Sequence, residues 1–324
     1  MPIKQDHTPQ ETLVSFIIPV YNVPTDMLQE CIDSIRKLTL RQHEREIIVV
    51  DDGSEHAPTD TLSDDIIYIR KRNEGVASAR NMGMRMATGR FLQFIDGDDM
   101  LLPSYEHVID LIRYNKADIV MFDLTDTDKP VPTYNDEDPM TGAELLRKSN
   151  IHGSACGYLF RQSILGNLQF TPGIAYGEDE EFTPQLLLRA EHVYRTSAKA
   201  YYYRFRPSSA IHQTDTRQTL RRLNDTKEVI YGLYSKFDKI PLTERLALQR
   251  RVAQLTMDYI YNVIVMTQNR HYLNRRLDEL RKKGLFPLPD QDYTKKYKWF
   301  RRMTNSSLGI TVLMRTLPLM KRER

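Results

Sequence analysis

Three acidic clusters in this sequence have the residue types and the placement to do chemistry. Asp96-Gly97-Asp98-Asp99 follows the apolar run Phe91-Leu92-Gln93-Phe94-Ile95, so three carboxylates crowd the end of a buried strand. Like charges that close raise one another's pKa and destabilise a fold unless a cation, a donor group or solvent takes them up. A hard cation such as Mg²⁺ or Mn²⁺ takes oxygen ligands, and at nucleotide sites one or two carboxylates plus phosphate oxygens suffice. The competing reading is a turn ahead of Pro103, with helix-capping aspartates and Gly97 at the bend.

Asp51-Asp52-Gly53-Ser54 is the second cluster. An ionised carboxylate only accepts hydrogen bonds, so it selects a base edge that presents an N–H, as uracil does at N3, and disfavours cytosine. Asp, Gly and Ser also favour a strand-to-helix turn for local reasons. The third is Gly177-Glu178-Asp179-Glu180-Glu181, four successive acids before an apolar segment. They read either as favourable first-turn charges or as the seat of a general base for a sugar hydroxyl. Between these lie Asn73-Glu74-Gly75 and Ala79-Arg80-Asn81-Met82-Gly83. Backbone N–H groups at that helix start and the Arg80 guanidinium suit a diphosphate. Gly83 inside a helix costs about 1 kcal/mol relative to Ala, which implies that something packs too closely for a side chain. His212, after Tyr201-Tyr202-Tyr203-Arg204-Phe205-Arg206, is a candidate metal ligand or phosphate donor.

Positioning these groups requires a sheet. Strands are expected at 14–20, 46–50, 66–70, 91–95 and 119–122, with helices at 27–38, 76–87 and 103–114 between them. Strands alternating with helices form a mostly parallel sheet with helices on both faces, and ligands sit beyond the carboxyl ends of its strands. Pro19-Val20-Tyr21-Asn22, Asp51 to Ser54 and Asp96 to Asp99 each follow a strand, so all three should rim one crevice. Residues 123–140 read as a surface loop or hairpin, and 141–205 as short helices and strands. After Pro207 the chain reads as helical, with candidates at 218–237, 243–268 and 271–283.

Composition sets the outer limits. The 324 residues, 40% hydrophobic and 27% charged, can bury a sizeable core as one large domain with an appendage or as two domains. Two cysteines, Cys31 and Cys156, cannot make a disulfide framework or a four-ligand zinc site, which points to a reducing, cytoplasmic setting. No apolar run reaches the roughly 18 residues of a membrane span, and no secretory signal pattern opens the chain. The net charge of +3 hides an asymmetry. Residues 217–324 hold 24 Lys and Arg against 10 Asp and Glu, and the first 216 hold 22 against 33. In the last thirty residues Trp299, Phe300, Leu308, Ile310, Val312, Leu313 and Met314 interleave with cations. That pattern suits the headgroup boundary of an anionic membrane, a solvated helical face or a contact between copies of the chain. No nucleic-acid-binding motif accompanies the charge.

Taken in order and spacing, SFIIPVYN, VVDDGS, NEGVASARNMG, FIDGDD and YGEDEEF resemble a glycosyltransferase of family 2. The resemblance covers about residues 13–212 and implies an α/β GT-A fold, with a Rossmann-like sheet and flanking helices. It divides the chain into an extension (1–12), a nucleotide-binding half (13–122), an acceptor half (123–212) and a basic helical region (213–324). It also implies an inverting, metal-dependent hexosyl- or N-acetylhexosaminyltransferase. Such an enzyme moves a sugar from a nucleoside diphosphate donor, here a UDP-sugar, to a saccharide or lipid-linked saccharide of the cell surface. On that pattern Asp52 accepts from uracil N3–H, Tyr21 stacks on the base, Pro19 shapes the strand end and Arg80 lies near the diphosphate. Asp96 faces the ribose, while Asp98 and His212 hold Mn²⁺ or Mg²⁺. Asp179 is the base, positioned by Glu178. A catalytically silent sugar-nucleotide binder of the same fold is the alternative, although the metal and base carboxylates it would lack are present. A phosphorelay receiver is disfavoured because the acidic pair follows the second strand. A nucleotidyltransferase is disfavoured because Pro19-Val20-Tyr21-Asn22 stands where its Gly-rich loop would be.

Overall fold

The computed structural model describes residues 11–59, 62–129, 133–205 and 215–322. The chain folds into two compact units, Met1–Leu145 with Ile151–Ser209, and Leu146–Asn150 with Ala210–Arg324.

The first unit is built on strand β1 (Val14–Val20), every residue of which is buried. Its β-branched and aromatic side chains fill both faces, as a central parallel strand requires. Helix α1 (Thr25–Arg36) leads to β2 (Arg45–Asp51), and β3 (Ile66–Arg70) forms the outer strand. Helix α2 (Val76–Met86) precedes β4 (Phe91–Phe94). A short β5 (Met100–Leu101), α3 (Tyr105–Tyr114) and β6 (Ile119–Thr125) follow. Then come β7 (Asp136–Met140), α4 (Gly142–Lys148), which runs out of this unit, β8 (Tyr158–Arg161), α5 (Glu178–Leu187) and β9 (Val193–Tyr202).

The sheet runs β3-β2-β1-β4-β8-β6-β9-β5, with β7 also paired to β9. β1 pairs in parallel with both β2 and β4, so the carboxyl ends of these three strands lie side by side and deliver their polar segments to one edge. Beyond β4 the sheet is mixed, because β8 inserts antiparallel between β4 and β6. The expected five strands are present, and β6 extends three residues past the expected end. β8 has no alternating pattern to announce it: Tyr158, Leu159 and Phe160 are all buried.

Helix α2 lies on β1 and β2. The close approach inferred for Gly83 is made by Ile17: a Cβ added at Gly83 would sit 2.2 Å from Ile17 Cγ2. Asn81 locks the same helix to a distant loop, its amide donating to Phe170 O at 2.9 Å and accepting from Phe170 N at 2.9 Å.

The second unit is helical. Helices α6 (Thr216–Tyr234), α8 (Arg270–Lys282), α9 (Lys295–Thr304) and α10 (Ser307–Arg322) each contact the long, heavily buried α7 (Leu242–Thr267). Asp215, Asn269 and Thr294 cap α6, α8 and α9 by accepting from Gln218 N, Tyr272 N and Tyr297 N at 2.8, 2.9 and 3.0 Å. These caps start α6 and α8 one or two residues before the expected positions.

Gly83→Ala should destabilise the protein by about 1–3 kcal/mol, the usual cost of overpacking a filled core. Urea denaturation measures it, and Gly83→Ala should cost less in an Ile17→Ala background, where the Cγ2 methyl that it meets is absent.

Candidate functional site

The rim begins where β1 ends. Pro19 is buried in the strand, and Tyr21 just beyond it is 52% exposed, with its ring open to a planar ligand. Asn22 takes a positive φ of 50° and ties the ends of β1 and β2 together. Its N–H donates to Ser54 Oγ at 2.9 Å and its Oδ1 accepts from Glu55 N at 2.9 Å. Asp51 turns inward, accepting from Ser54 N and Tyr68 OH at 2.8 Å each. Burial opposes its charge, but the Ser54 and Tyr68 hydrogen bonds hold its carboxyl below the usual range.

Asp52 is buried and engages the 71–75 segment. Oδ1 accepts from Lys71 Nζ at 2.7 Å and Glu74 N at 3.0 Å, and Oδ2 accepts from Gly75 N at 2.7 Å. The N–H groups of this loop, which the spacing offers to an anionic ligand, are thus partly taken by a carboxylate of the protein. Gly53 permits the approach, with φ +80° and only 2.9 Å between an added Cβ and Asn73 N.

Beyond β4, Asp96 and Asp98 are half-buried and Asp99 is buried. Tyr201 OH bridges this turn, accepting from Asp96 N at 3.1 Å and donating to Asp99 Oδ2 at 2.7 Å. Arg204 N donates to Asp99 Oδ1 at 2.8 Å. Desolvation, followed by the Asp96 charge, pushes Asp99 up to about 8. Among the described residues no three His, Cys, Asp or Glu groups form a complete metal cage. A partial set of half-buried carboxylates fits a hard divalent cation whose remaining ligands are phosphate oxygens and water. His212 lies outside the described residues.

The densest electrostatics lie at Arg80. Its guanidinium is 3% exposed and meets three carboxylates from two other segments. Nη2 donates to Asp96 Oδ1 at 3.0 Å, and Nη1 donates to Glu178 Oε1 at 2.9 Å and Asp179 Oδ1 at 2.5 Å. Phe94 and Phe170 flank it, with ring centroids 5.8 and 5.4 Å from Cζ. Burial would lower its pKa, but Asp179, Asp96 and Glu178 hold it well above the ordinary value. Arg80 is therefore occupied by carboxylates, not left facing a diphosphate as the spacing suggests. Glu178 and Asp179 form the first turn of α5, and they also converge on Asp96 through Arg80. Asp179 Oδ2 accepts from Ala155 N at 3.0 Å. Burial raises Asp179 despite Arg80, while burial and the Asp179 charge push Glu178 up to about 8.

Lys71, Tyr201 and the Ala155 N–H are members of the site that motif spacing does not reveal. Only Tyr201 has a local signal, its place in a run of three tyrosines, and nothing there marks which ring turns inward.

Residues 15–167 match the model of Glycosyl transferase family 2. The chain carries a family 2 glycosyltransferase domain. It is 30% identical over 217 residues to EpsJ, an uncharacterized glycosyltransferase of Bacillus subtilis (strain 168), covering 61% of this chain and 62% of EpsJ. It is 27% identical over 208 residues to the minor teichoic acid biosynthesis protein GgaB of the same organism, covering 59% and 23%. The chain thus spans less than two thirds of these relatives' length. The crystal structure of S. aureus TarS 1–349 in complex with UDP matches with a TM-score of 0.68 at 18% identity, over 96% of this chain and 92% of that one. At that identity the match is one of fold, and the family 2 domain here is of the GT-A type.

Glu178 gives the first unit a pH signature. Its folded pKa of about 8 lies above the ordinary 4.5, so the folded state holds a proton that the unfolded chain releases. The associated stability is present below the ordinary value and is lost as pH rises through the window up to about 8. Thermal melts across that window should show the wild type losing stability relative to Glu178→Gln as pH rises. Parallel curves would mean that Glu178 is ionised throughout.

Proposed function

We propose that this protein transfers a sugar, with inversion, from a nucleoside diphosphate sugar to a hydroxyl of a saccharide or lipid-linked saccharide acceptor in cell-surface polysaccharide synthesis. The observation that carries this is the Arg80 cluster, which holds the Glu178-Asp179 pair against Asp96 on the rim beyond β1, β2 and β4. A base for the acceptor and a nucleotide-facing carboxylate thereby share one cation. The teichoic acid role printed for GgaB supports the polysaccharide setting, and the UDP complex of TarS supports a uridine donor.

In this reading Tyr21 stacks on the base. The remaining acceptor capacity of Asp52 faces the uracil N3–H, although its carboxylate also holds the 71–75 loop. Asp96 faces the ribose. Asp98 would hold Mn²⁺ or Mg²⁺, and a bound cation would supply charge neutralisation for the diphosphate leaving group. Asp179 takes the proton of the acceptor hydroxyl as its oxygen bonds to the anomeric carbon and the bond from that carbon to the diphosphate oxygen breaks. Burial serves this step, since a carboxylate raised above its ordinary pKa is a stronger base. Glu178 positions it, and Ala155 N fixes the other carboxylate oxygen. Transfer of a hexosyl or N-acetylhexosaminyl group is the donor class this reading favours.

Release of UDP from a panel of UDP-sugars, with Mn²⁺ and a saccharide acceptor, tests the reading. Asp179→Asn should lower turnover by about 10²- to 10⁴-fold, the usual worth of a general base. Its affinity for UDP by calorimetry should be unchanged. Near wild-type transfer would remove Asp179 from the base role, and donor binding without turnover in the wild type would favour a silent binder. Chelation with EDTA should abolish transfer and added Mn²⁺ or Mg²⁺ restore it. Activity indifferent to EDTA would remove Asp98 from the metal role.

A further inference from the structure

The second unit carries a surface that the chemistry above does not use. Helix α9 buries Tyr297, Phe300 and Thr304 and exposes Lys295, Lys296, Trp299 and Arg302. Helix α10 buries Ile310, Leu313 and Leu317. Its exposed residues Leu308, Val312, Arg315 and Leu319 recur every three or four positions, so they form one stripe along the helix. Leu308 is 77% exposed and Leu319 60%. These two helices pack on each other, and each presents an exposed face, aliphatic on α10 and cationic with a tryptophan on α9. From Tyr293 to Met320 the chain has six Lys and Arg and no acidic residue.

We propose that the outer faces of α9 and α10 dock on an anionic lipid bilayer. Leu308, Val312 and Leu319 would enter the headgroup boundary, Trp299 would sit at its polar level, and Lys295, Lys296, Arg302 and Arg315 would face the lipid phosphates. The chemistry selects this occupant. A contact of this face with its own copy sets cation against cation, which disfavours self-pairing. Nucleic acid has no use for an aliphatic stripe, whereas an interfacial helix buries such a stripe among acyl chains and draws further affinity from anionic headgroups. Among the described residues no helix is long and apolar enough to cross a membrane, so the attachment is peripheral.

Sedimentation of the full chain with vesicles tests this independently of any sugar transfer, since the readout is binding. The protein should pellet with vesicles of phosphatidylglycerol and phosphatidylcholine, remain in solution with phosphatidylcholine alone, and detach as salt rises. Lys295→Gln with Lys296→Gln should weaken binding about 25-fold, about fivefold for each cation, the equivalent of about 1 kcal/mol apiece. Leu308→Ser with Val312→Ser should also weaken it while leaving the melting temperature unchanged, because both side chains are exposed. Equal binding to both vesicle types, no binding to either, or unchanged binding in both double variants would overturn the proposal. A dimer seen by light scattering without lipid and lost in Leu308→Ser/Val312→Ser would overturn it in favour of a contact between copies.

Discussion

One buried guanidinium holds the site together. Arg80 is drawn from α2, and the carboxylates it meets come from the turn after β4 and the first turn of α5. A single positive charge cannot balance three carboxylates in a water-poor setting. Burial and the Asp179 charge push Glu178 up to about 8, and Asp179 draws further support from Ala155 N. Removing the cation would leave buried charge uncompensated, which costs about 3–5 kcal/mol for one broken buried pair. In the proposed reading, chemistry and stability therefore rest on the same contact.

The sheet and α2 exist in the form they do partly to place that contact. β1 lies between β2 and β4 in parallel register, so three polar segments arrive at one edge. Gly83 lets α2 settle on Ile17, and Asn81 on the same helix clasps the backbone at Phe170. Phe170 stacks on Phe182 of α5, ring to ring at 4.0 Å. A chain of packing thus runs from the core strand through the helix that bears Arg80 to the helix that bears Glu178 and Asp179. The side chain of Arg80 is placed from three directions.

Much of this was legible in the sequence because it is local. Strand ends followed by Asp, Gly and Asn are read from neighbouring residues, and the parallel order of β1, β2 and β4 follows from the helices between them. The acidic clusters and the unusual Gly83 could be singled out for the same reason. Long-range electrostatics could not be read. Nothing around Arg80 announces that residues 98 and 99 positions away will claim its guanidinium, and its helical setting equally suits a phosphate. β8 was obscure because a strand buried on both faces lacks the period of two, and Lys71 and Tyr201 act through partners far along the chain.

The grip of Asp52 on the 71–75 loop bears on how the nucleotide is met. Lys71, Glu74 and Gly75 are fastened to that carboxylate, which ties the start of α2 to the end of β2. In the proposed reading, a base meeting that segment finds it already tied down, which spares part of the ordering cost of binding. Such a wall is preorganised but unforgiving. If Asp52 reads the base as proposed, a change of donor base requires rebuilding the loop as well as that residue, because its carboxylate already holds the 71–75 segment.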